Sequence, residues 1–232
     1  MTMRDTIRDF IWISTAVTVG SATGWVVFAL LSLLLASCQP AHAADSIPRA
    51  AEQHRRTLVR AAQQGWGLDA PIATLAGQVH QESAWRTDAR SPVGAQGLAQ
   101  FMPATADWMA QLYPETLGPA QPWNAGWALR AMVQYNRWHA ARIQASGPCE
   151  QWAMMLSAYN GGLGWLNRDK RLASASGADP LAWFGAVESY NAGRSAANFR
   201  ENRGYPRNIL LRWEPLYAGA GWGKGVCAGR SL

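Results

Sequence analysis

One stretch, residues 70–109, constrains the fold of this chain more than any other. In its first part, apolar side chains recur at the i, i+3, i+4 and i+7 spacing of an amphipathic helix: Ile72, Leu75, Ala76 and Val79. Pro71 stands at the start of this pattern, and a proline in the first helical turn loses no hydrogen bond. The rest of the chain shows helical segments without runs of alternating β-branched residues. The sequence therefore predicts an all-α fold.

Glu82 is the candidate general acid on this predicted helix. It follows Leu75 by seven residues and Val79 by three, so it projects from the edge of the apolar stripe, near the helix C-terminus. Partial burial and the negative end of the helix dipole both disfavour a carboxylate, so both raise its pKa. A general acid that works near neutral pH requires such a shift. Periodicity alone also fits an ordinary, half-exposed glutamate without a chemical role.

The segment after Glu82 gives a more specific indication. It reads, after Glu82-Ser83 and a short gap, Ser91-Pro-Val-Gly-Ala-Gln-Gly-Leu-Ala-Gln-Phe-Met-Pro-Ala-Thr-Ala106. This pattern resembles the SLT-type lytic transglycosylases of bacterial peptidoglycan, which are similar in fold to goose-type lysozyme. The resemblance implies an all-α, lysozyme-like domain with a substrate groove, in which Glu82 is catalytic and Ser91, Gln100 and Met102 bind substrate. Ala99 replaces the family's usual methionine, and we expect it to leave the groove slightly roomier.

A second part of the resemblance is Ala158-Tyr-Asn-Gly-Gly162, which ends an apolar helix. The family carries Ala-Tyr-Asn-Ala-Gly here, and this implies that Tyr159 and Asn160 line the sugar groove. A near copy, Ser189-Tyr-Asn-Ala-Gly193, follows thirty-one residues later. By position we assign the family motif to the first copy, and the second copy is the alternative.

A third part of the resemblance is Glu201-Asn-Arg-Gly-Tyr205, which is similar to the family's Glu-Thr-Arg-x-Tyr. It implies that Tyr205 lies in the groove near the acid and that Glu201 supports the site. Pro206 departs from the pattern and predicts that the helix after Tyr205 begins later than usual. The alternative for Glu201 is a surface ion pair with Arg203 or Arg207, which contributes little.

Residues 1–43 form a predicted export segment. No charged residue occurs from Ile11 to Ser37, a run that is long enough to span a bilayer. Three outcomes are open: lipidation at Cys38, cleavage after Ala43, or retention of the segment as a membrane anchor. Each of them exports the remainder, so we expect a periplasmic protein. We divide that remainder into an N-terminal helix at 44–70, an SLT-like catalytic domain at 71–216 and a Gly-rich C-terminal tail at 217–232.

Two cysteines, Cys149 and Cys227, remain after the export segment. An even pair in an oxidising compartment predicts a disulfide bond. The bond would close a long loop, and the chain-entropy model gives it on the order of 4 kcal/mol as an upper figure. Two buried free thiols are the alternative.

The formal net charge of +6 is carried mostly by arginine. Nucleic acid is the usual partner of such a chain, but export makes the anionic cell-wall polymer the expected partner instead. The arginines are dispersed, so much of this charge is solvated surface. The histidines lack ligand spacing, and we predict no metal site and no cofactor. Small exported enzymes of this type often accompany a secretion or conjugation apparatus, and we expect such machinery as a partner. This expectation does not rest on particular residues of the sequence.

The resemblance also implies a mechanism. An ordinary glycosidase uses two carboxylates. In this sequence one glutamate, Glu82, lies within a motif that indicates catalysis. Glu82 would protonate the bond between N-acetylmuramic acid and N-acetylglucosamine, and would then take the proton of the C6 hydroxyl as a 1,6-anhydro ring closes. The alternatives are a goose-type lysozyme, which hydrolyses the same bond with water, and a non-catalytic peptidoglycan-binding subunit of an envelope complex.

Overall fold

The computed structural model describes residues 45–229, and the predicted all-α fold is confirmed there. Within these residues no strand forms, and two single-residue bridges join Gln96 to Arg90 and to Phe101. The predicted export segment, with Cys38 and Ala43, lies outside the described residues. The helices are, in chain order, α1 (Arg49–Trp66), α2 (Ile72–Ser83), α3 (Pro103–Leu112), α4 (Pro114–Leu117), α5 (Ala125–Ala140), α6 (Pro148–Gly161), α7 (Leu163–Ala175), a 3₁₀ turn at Val187–Ser189, α8 (Ala196–Arg207), a π-helical segment at Asn208–Trp213, and α9 (Glu214–Gly219).

Helix α2, which carries Glu82, lies in the core and is buried on nearly all sides. Its predicted apolar stripe is buried, but so are Thr74 and Gln78 on its other faces. These polar side chains are accommodated because each has a hydrogen-bond partner. Thr74 Oγ1 donates to Glu214 Oε2 at 2.6 Å, and Gln78 Oε1 accepts from Asn136 Nδ2 at 2.6 Å. The predicted apolar stripe is therefore confirmed, and burial of the helix extends beyond it.

The C-terminal helical segment packs closely against α2. A Cβ at Gly77 would lie 3.1 Å from the Cβ of Trp213, so glycine permits this approach. The structure differs from the expectation for Pro206, because α8 runs through this residue without a new start. Proline removes one helical N–H, and the hydrogen-bond spacing widens to the π type directly afterwards, over Asn208–Trp213. The helix that brings Tyr205 to the site is thus continuous with the segment that packs on α2.

Residues 217–229, the described part of the predicted tail, fold back on the core. Trp222 is buried within this segment. Cys227 is joined to Cys149 by a disulfide bond. The backbone N–H of Cys227 also donates to Glu214 Oε1 at 2.9 Å. The segment is thereby fastened to both α6 and α9.

Candidate active site

The last turn of α2 borders a cavity of about 280 Å³, with Glu82 on its wall. The helix ends there because the chain becomes left-handed, with φ of 49° at Ala84 and 65° at Trp85. Trp85 is 1% exposed, and its burial holds this turn in place. Seven of the residues proposed from the sequence line the cavity: Glu82, Ser91, Gln100, Met102, Tyr159, Asn160 and Glu201.

Tyr205 lies behind Glu82 rather than on the cavity wall. The residue is 5% exposed, and its hydroxyl donates a hydrogen bond to Glu82 Oε1. Gln78 Nε2 lies 3.5 Å from the same hydroxyl. Asn136 Nδ2 in turn donates to Gln78 Oε1 at 2.6 Å. This chain of polar side chains orients the Glu82 carboxyl from the protein side.

The surroundings of Glu82 raise its pKa to about 8. Burial of the carboxyl is the largest cause, since loss of water disfavours the charged form. The hydrogen bond from Tyr205 lowers the pKa, and the negative charge of Glu201 raises it further. Glu201 itself is exposed. At neutral pH Glu82 is therefore mostly protonated and able to donate a proton.

The glycine-rich loop after α2 forms one wall of the cavity. Ser83 Oγ donates to the Leu98 carbonyl at 2.9 Å, and this bond ties the loop to the helix of Glu82. A Cβ at Gly97 would lie 2.0 Å from the Pro122 carbonyl oxygen, so only glycine fits at this position. The loop is therefore held in one position relative to the acid.

Two of the proposed binding residues also shape this loop. Gln100 Nε2 donates to the carbonyls of Ala89 at 3.0 Å and Gly97 at 2.8 Å. Ser91 Oγ accepts from the N–H of Ala95 at 2.9 Å. These bonds leave Gln100 Oε1 and the hydroxyl proton of Ser91 for contacts with a ligand.

Helix α6 ends at the cavity and brings Tyr159 and Asn160 to it. Tyr159 Oη donates to the Ala99 carbonyl at 2.7 Å, which joins α6 to the glycine-rich loop. Asn160 is exposed, and its Oδ1 accepts from Asn202 Nδ2 at 3.0 Å. Asn202 is buried and also donates to the Ser157 carbonyl at 2.8 Å. Asn202, which does not line the Glu82 cavity, thus holds the side chain of Asn160 in place.

The expectation that Ala99 enlarges the groove is wrong. Ala99 is fully buried and belongs to the hydrophobic core beneath the loop. Its side chain therefore lies away from the cavity, while its backbone carbonyl anchors Tyr159. A motif position alone did not reveal which way this loop residue faces.

Sequence reasoning also missed several residues of the site. The cavity lining includes five further side chains: Val93, Ala95, Phe101, Thr105 and Tyr135. Thr105 lies within the family pattern, and Tyr135 lies on α5 at helical spacing from Ala128, Ala131 and Met132, but neither pattern separates a lining residue from a core residue. Gln78 and Asn202 carry no local signal, because their partners lie 127 and 42 residues away along the chain.

The near copy of the Tyr-Asn motif lies outside the Glu82 cavity. Asn191 shapes its own loop, because its Oδ1 accepts from the N–H of Arg194 at 2.8 Å and its Nδ2 donates to the Arg194 carbonyl at 2.9 Å. The N–H of Ala192 donates to the buried Asp169 at 2.9 Å. Asp169 also pairs with the guanidinium groups of Arg194 and Arg203.

Comparison with known proteins identifies the family. Residues 57–182, more than half of the chain, match the family model of the Transglycosylase SLT domain, and the chain belongs to this family. It is 30% identical over 167 residues to the membrane-bound lytic murein transglycosylase F of Thiobacillus denitrificans, over 65% of this chain and 34% of that protein. It is 35% identical over 142 residues to the soluble lytic murein transglycosylase of Salmonella typhimurium, over 56% of this chain and 18% of that protein.

A solved structure extends the similarity to the fold. The lytic transglycosylase Slt of Pseudomonas aeruginosa, solved as an inactive mutant, matches with a TM-score of 0.59 at 25% identity, over 88% of this chain and 30% of that one. The chain thus spans about a third or less of the length of these proteins. None of the helices at residues 45–229 is both long and apolar enough to cross a membrane.

Proposed function

We propose that this chain is a peptidoglycan lytic transglycosylase that cleaves the β-1,4 bond between N-acetylmuramic acid and N-acetylglucosamine. The observation that carries the proposal is a single protonated carboxyl, Glu82, which Tyr205 holds on the wall of an open groove. The names of both sequence relatives, which are lytic murein transglycosylases, support the same class of reaction.

In the proposed reaction, Glu82 donates its proton to the glycosidic oxygen as the bond from C1 of N-acetylmuramic acid to that oxygen breaks. The N-acetyl group of the substrate assists the positive charge at C1. Glu82, now a carboxylate, takes the proton of the C6 hydroxyl while O6 forms a bond to C1. The product ends in 1,6-anhydro-N-acetylmuramic acid, and Glu82 regains its proton without the entry of water.

The surroundings of Glu82 suit both halves of this cycle. The hydrogen bond from Tyr205 favours the carboxylate that the first step produces, whereas burial favours the protonated form that the second step restores. These opposing effects keep the pKa close to the working pH, where an acid–base catalyst is most effective. Gln100 and Asn160 then have the role of binding sugar hydroxyl and acetamido groups.

Glu201 favours one alternative function. Its exposed carboxylate lines the same cavity as Glu82, and hydrolases use a second carboxylate to activate water. The alternative is therefore a lysozyme-type hydrolase that cleaves the same bond. Digestion of purified sacculi followed by mass spectrometry separates the two reactions. Anhydro ends, lighter by one water, support the transglycosylase, and reducing muramic acid ends would establish the hydrolase.

Glu82→Gln tests whether Glu82 is the acid, because glutamine keeps the shape and cannot transfer the proton. We expect cleavage to fall by about 10²–10⁴-fold, while binding to sacculi persists. Glu115→Gln, at an exposed glutamate of α4, is the matched control and should cleave at the wild-type rate. Wild-type protein that pellets with sacculi and releases no product would instead favour the non-catalytic binding subunit.

We further propose that the chain is exported and acts in the periplasm, where it opens the wall for a secretion or conjugation apparatus. The uncharged run from Ile11 to Ser37 and the candidate sites at Cys38 and Ala43 support export. Labelling with a radioactive fatty acid, compared between wild type and Cys38→Ala, tests lipidation. Loss of the chain in a host with such an apparatus should reduce transfer, and the Glu82→Gln variant should not restore it.

A further inference from the structure

Helix α1 presents a row of arginines on the surface of the molecule. Arg49, Arg56 and Arg60 are exposed, and their spacing of seven and four residues places them on one side of the helix. The opposite side, which includes Leu58, is buried in the core. Arginines that are dispersed along the sequence are thus gathered by the helix into one row, about 17 Å long. We call this row the arginine face.

The fold does not use the charges of the arginine face. Among residues 45–229, Arg49, Arg56 and Arg60 form no side-chain hydrogen bond or ion pair with another residue. Arg55, their neighbour on α1, is different. Its Nη2 donates to the Gly221 carbonyl at 2.6 Å, and its guanidinium lies 4.9 Å from the ring centre of Trp222. Arg55 therefore fastens the C-terminal segment, whereas the arginine face is available to a partner outside the chain.

The charge of the arginine face is not offset locally. Residues 49–60 contain four arginines and one glutamate, which give a net charge of +3, half of the formal +6 of the whole chain. The single glutamate, Glu52, lies 3.7 Å from Arg55 and offsets that arginine. Three positive charges thus remain along one side of α1, and they attract an anionic partner.

An apolar floor between the arginines narrows the chemistry of this partner. A cavity of about 280 Å³ is lined by Arg55, Arg56, Val59 and Arg60. Its hydrocarbon comes from the half-buried Val59 and from the methylene stems of the arginines. Guanidinium groups bind phosphate oxygens in pairs, while the floor offers contact to hydrocarbon. A molecule with an anionic head and an acyl chain matches both parts, whereas a peptidoglycan strand offers carboxylates without such a chain.

We propose that the arginine face binds the surface of a membrane that contains anionic phospholipid. Arg56 and Arg60 contact phosphate oxygens, and Val59 contacts the adjoining hydrocarbon. The predicted export segment ends six residues before α1, so a retained or lipidated N-terminus would keep α1 near a bilayer. One lipid chain gives only weak attachment, and a basic patch is the kind of second signal that makes it stable. This inference is separate from the proposed cleavage reaction and rests only on the proposed export.

The experiment places a fluorophore on the arginine face of the full chain. Gln53 is exposed between Arg49 and Arg56 on the same side of α1. In a Cys38→Ala background, Gln53→Cys is the single thiol outside the disulfide bond and takes an environment-sensitive label. The labelled chain is reconstituted into vesicles of phosphatidylcholine alone or mixed with phosphatidylglycerol. We expect a blue shift of the emission in the mixed vesicles only, and its loss in high salt, which screens the charges.

Two double variants of this labelled chain show whether the arginines of α1 cause the shift. Arg56→Gln/Arg60→Gln should lose most of the blue shift, because each arginine near an anionic bilayer contributes to the attraction. Arg171→Gln/Arg200→Gln removes the same charge at exposed positions of α7 and α8, and it should keep the blue shift. Circular dichroism verifies that both variants are folded.

Three results would overturn the proposal. Equal shifts in neutral and anionic vesicles would mean that the N-terminal segment alone brings α1 to the bilayer. A shift with purified sacculi but not with vesicles would assign the arginine face to the wall polymer. An equal shift from a label at Glu115→Cys, exposed on α4, would indicate general adsorption. None of these results depends on cleavage, so failure of the proposed reaction would be seen separately, as sacculi left intact by the wild type.

Discussion

Gly161 and Asn202 approach each other so closely that a Cβ on residue 161 would lie 2.6 Å from Asn202 Nδ2. The family patterns have alanine at the first of these positions and threonine at the second. In this chain the residue at 161 is therefore smaller than in the family, and the residue at 202 is larger. The same Nδ2 donates to Asn160 Oδ1 at 3.0 Å and to the Ser157 carbonyl at 2.8 Å. The absence of a side chain at 161 therefore allows Asn202 to hold a groove residue in place.

Gly161→Ala should consequently displace Asn202 and release Asn160. We expect glycan cleavage to fall roughly tenfold and the Tm to decrease, because about 1–3 kcal/mol of hydrogen bonding is lost. The double variant Gly161→Ala/Asn202→Thr relieves the overlap and should regain most of the Tm.

Gly164→Ala is the control for this pair, since a Cβ there meets nothing within 4 Å on the exposed surface of α7. Alanine at this helical position should leave activity unchanged and stabilise the helix by up to about 1 kcal/mol. If Gly161→Ala behaved like Gly164→Ala, the proposed coupling between residues 161 and 202 would be wrong.

Tyr205→Phe should alter the pH dependence of cleavage as well as its rate. The wild-type rate should decline as pH rises through about 8, where Glu82 loses its proton. Removal of the tyrosine hydroxyl removes the hydrogen bond that lowers this pKa, so the decline should move to higher pH while the maximal rate falls by roughly tenfold. Kinetics from pH 5 to 10 measure both effects. Tyr113→Phe, outside the Glu82 cavity, should reproduce the wild-type profile.

Glu82→Gln should stabilise the protein at neutral and alkaline pH. Between the ordinary value of 4.5 and about 8, the unfolded chain releases a proton that folded Glu82 retains, so the free energy of unfolding falls as pH rises. Glutamine has no such proton. We expect the variant to exceed the wild type by more than about 1 kcal/mol at pH 8, and to match it near pH 4. Urea unfolding at both pH values tests this, with Glu115→Gln as the variant that should follow the wild type.

Removal of the disulfide bond should destabilise the protein. Cys149 and Cys227 close a loop with a sequence separation of 78, so Cys149→Ser/Cys227→Ser should lower the free energy of unfolding by about 2–4 kcal/mol. Denaturant titration with and without reductant gives the comparison. Reductant should lower the stability of the wild type and leave the double variant unaffected. Equal stability of all four samples would show that the bond contributes nothing.

The parts of the fold that follow from local pattern were predictable from the sequence. The helix of Glu82 is visible in the spacing of its apolar residues, and the resemblance to the family led to Tyr205, whose hydroxyl proves to contact the acid. The supporting residues were not predictable. Gln78 and Asn136 resemble ordinary polar helix residues, and only the packing of α2 against α5 turns them into a buried pair.

The ion pair of Arg194 illustrates a second limit. Arg194 has no motif of its own and lies in a loop, and its partner Asp169 lies 25 residues earlier, on α7. The near copy beside it is visible in the sequence, but short motifs recur by chance and do not reveal their orientation. The prediction for Ala99 is wrong for the same reason, because the direction of a loop side chain depends on turns that periodicity does not describe.

The distance along the chain between Glu82 and Tyr205 has a practical consequence for the minimal active unit. The segment that matches the family model ends at residue 182, so a fragment cut at the limits of that match would keep the acid and lose the hydroxyl that orients it. It would also lose Glu201 and the cysteine that fastens the C-terminal segment to α6. The segment that the family model matches is therefore shorter than the segment that the proposed chemistry requires.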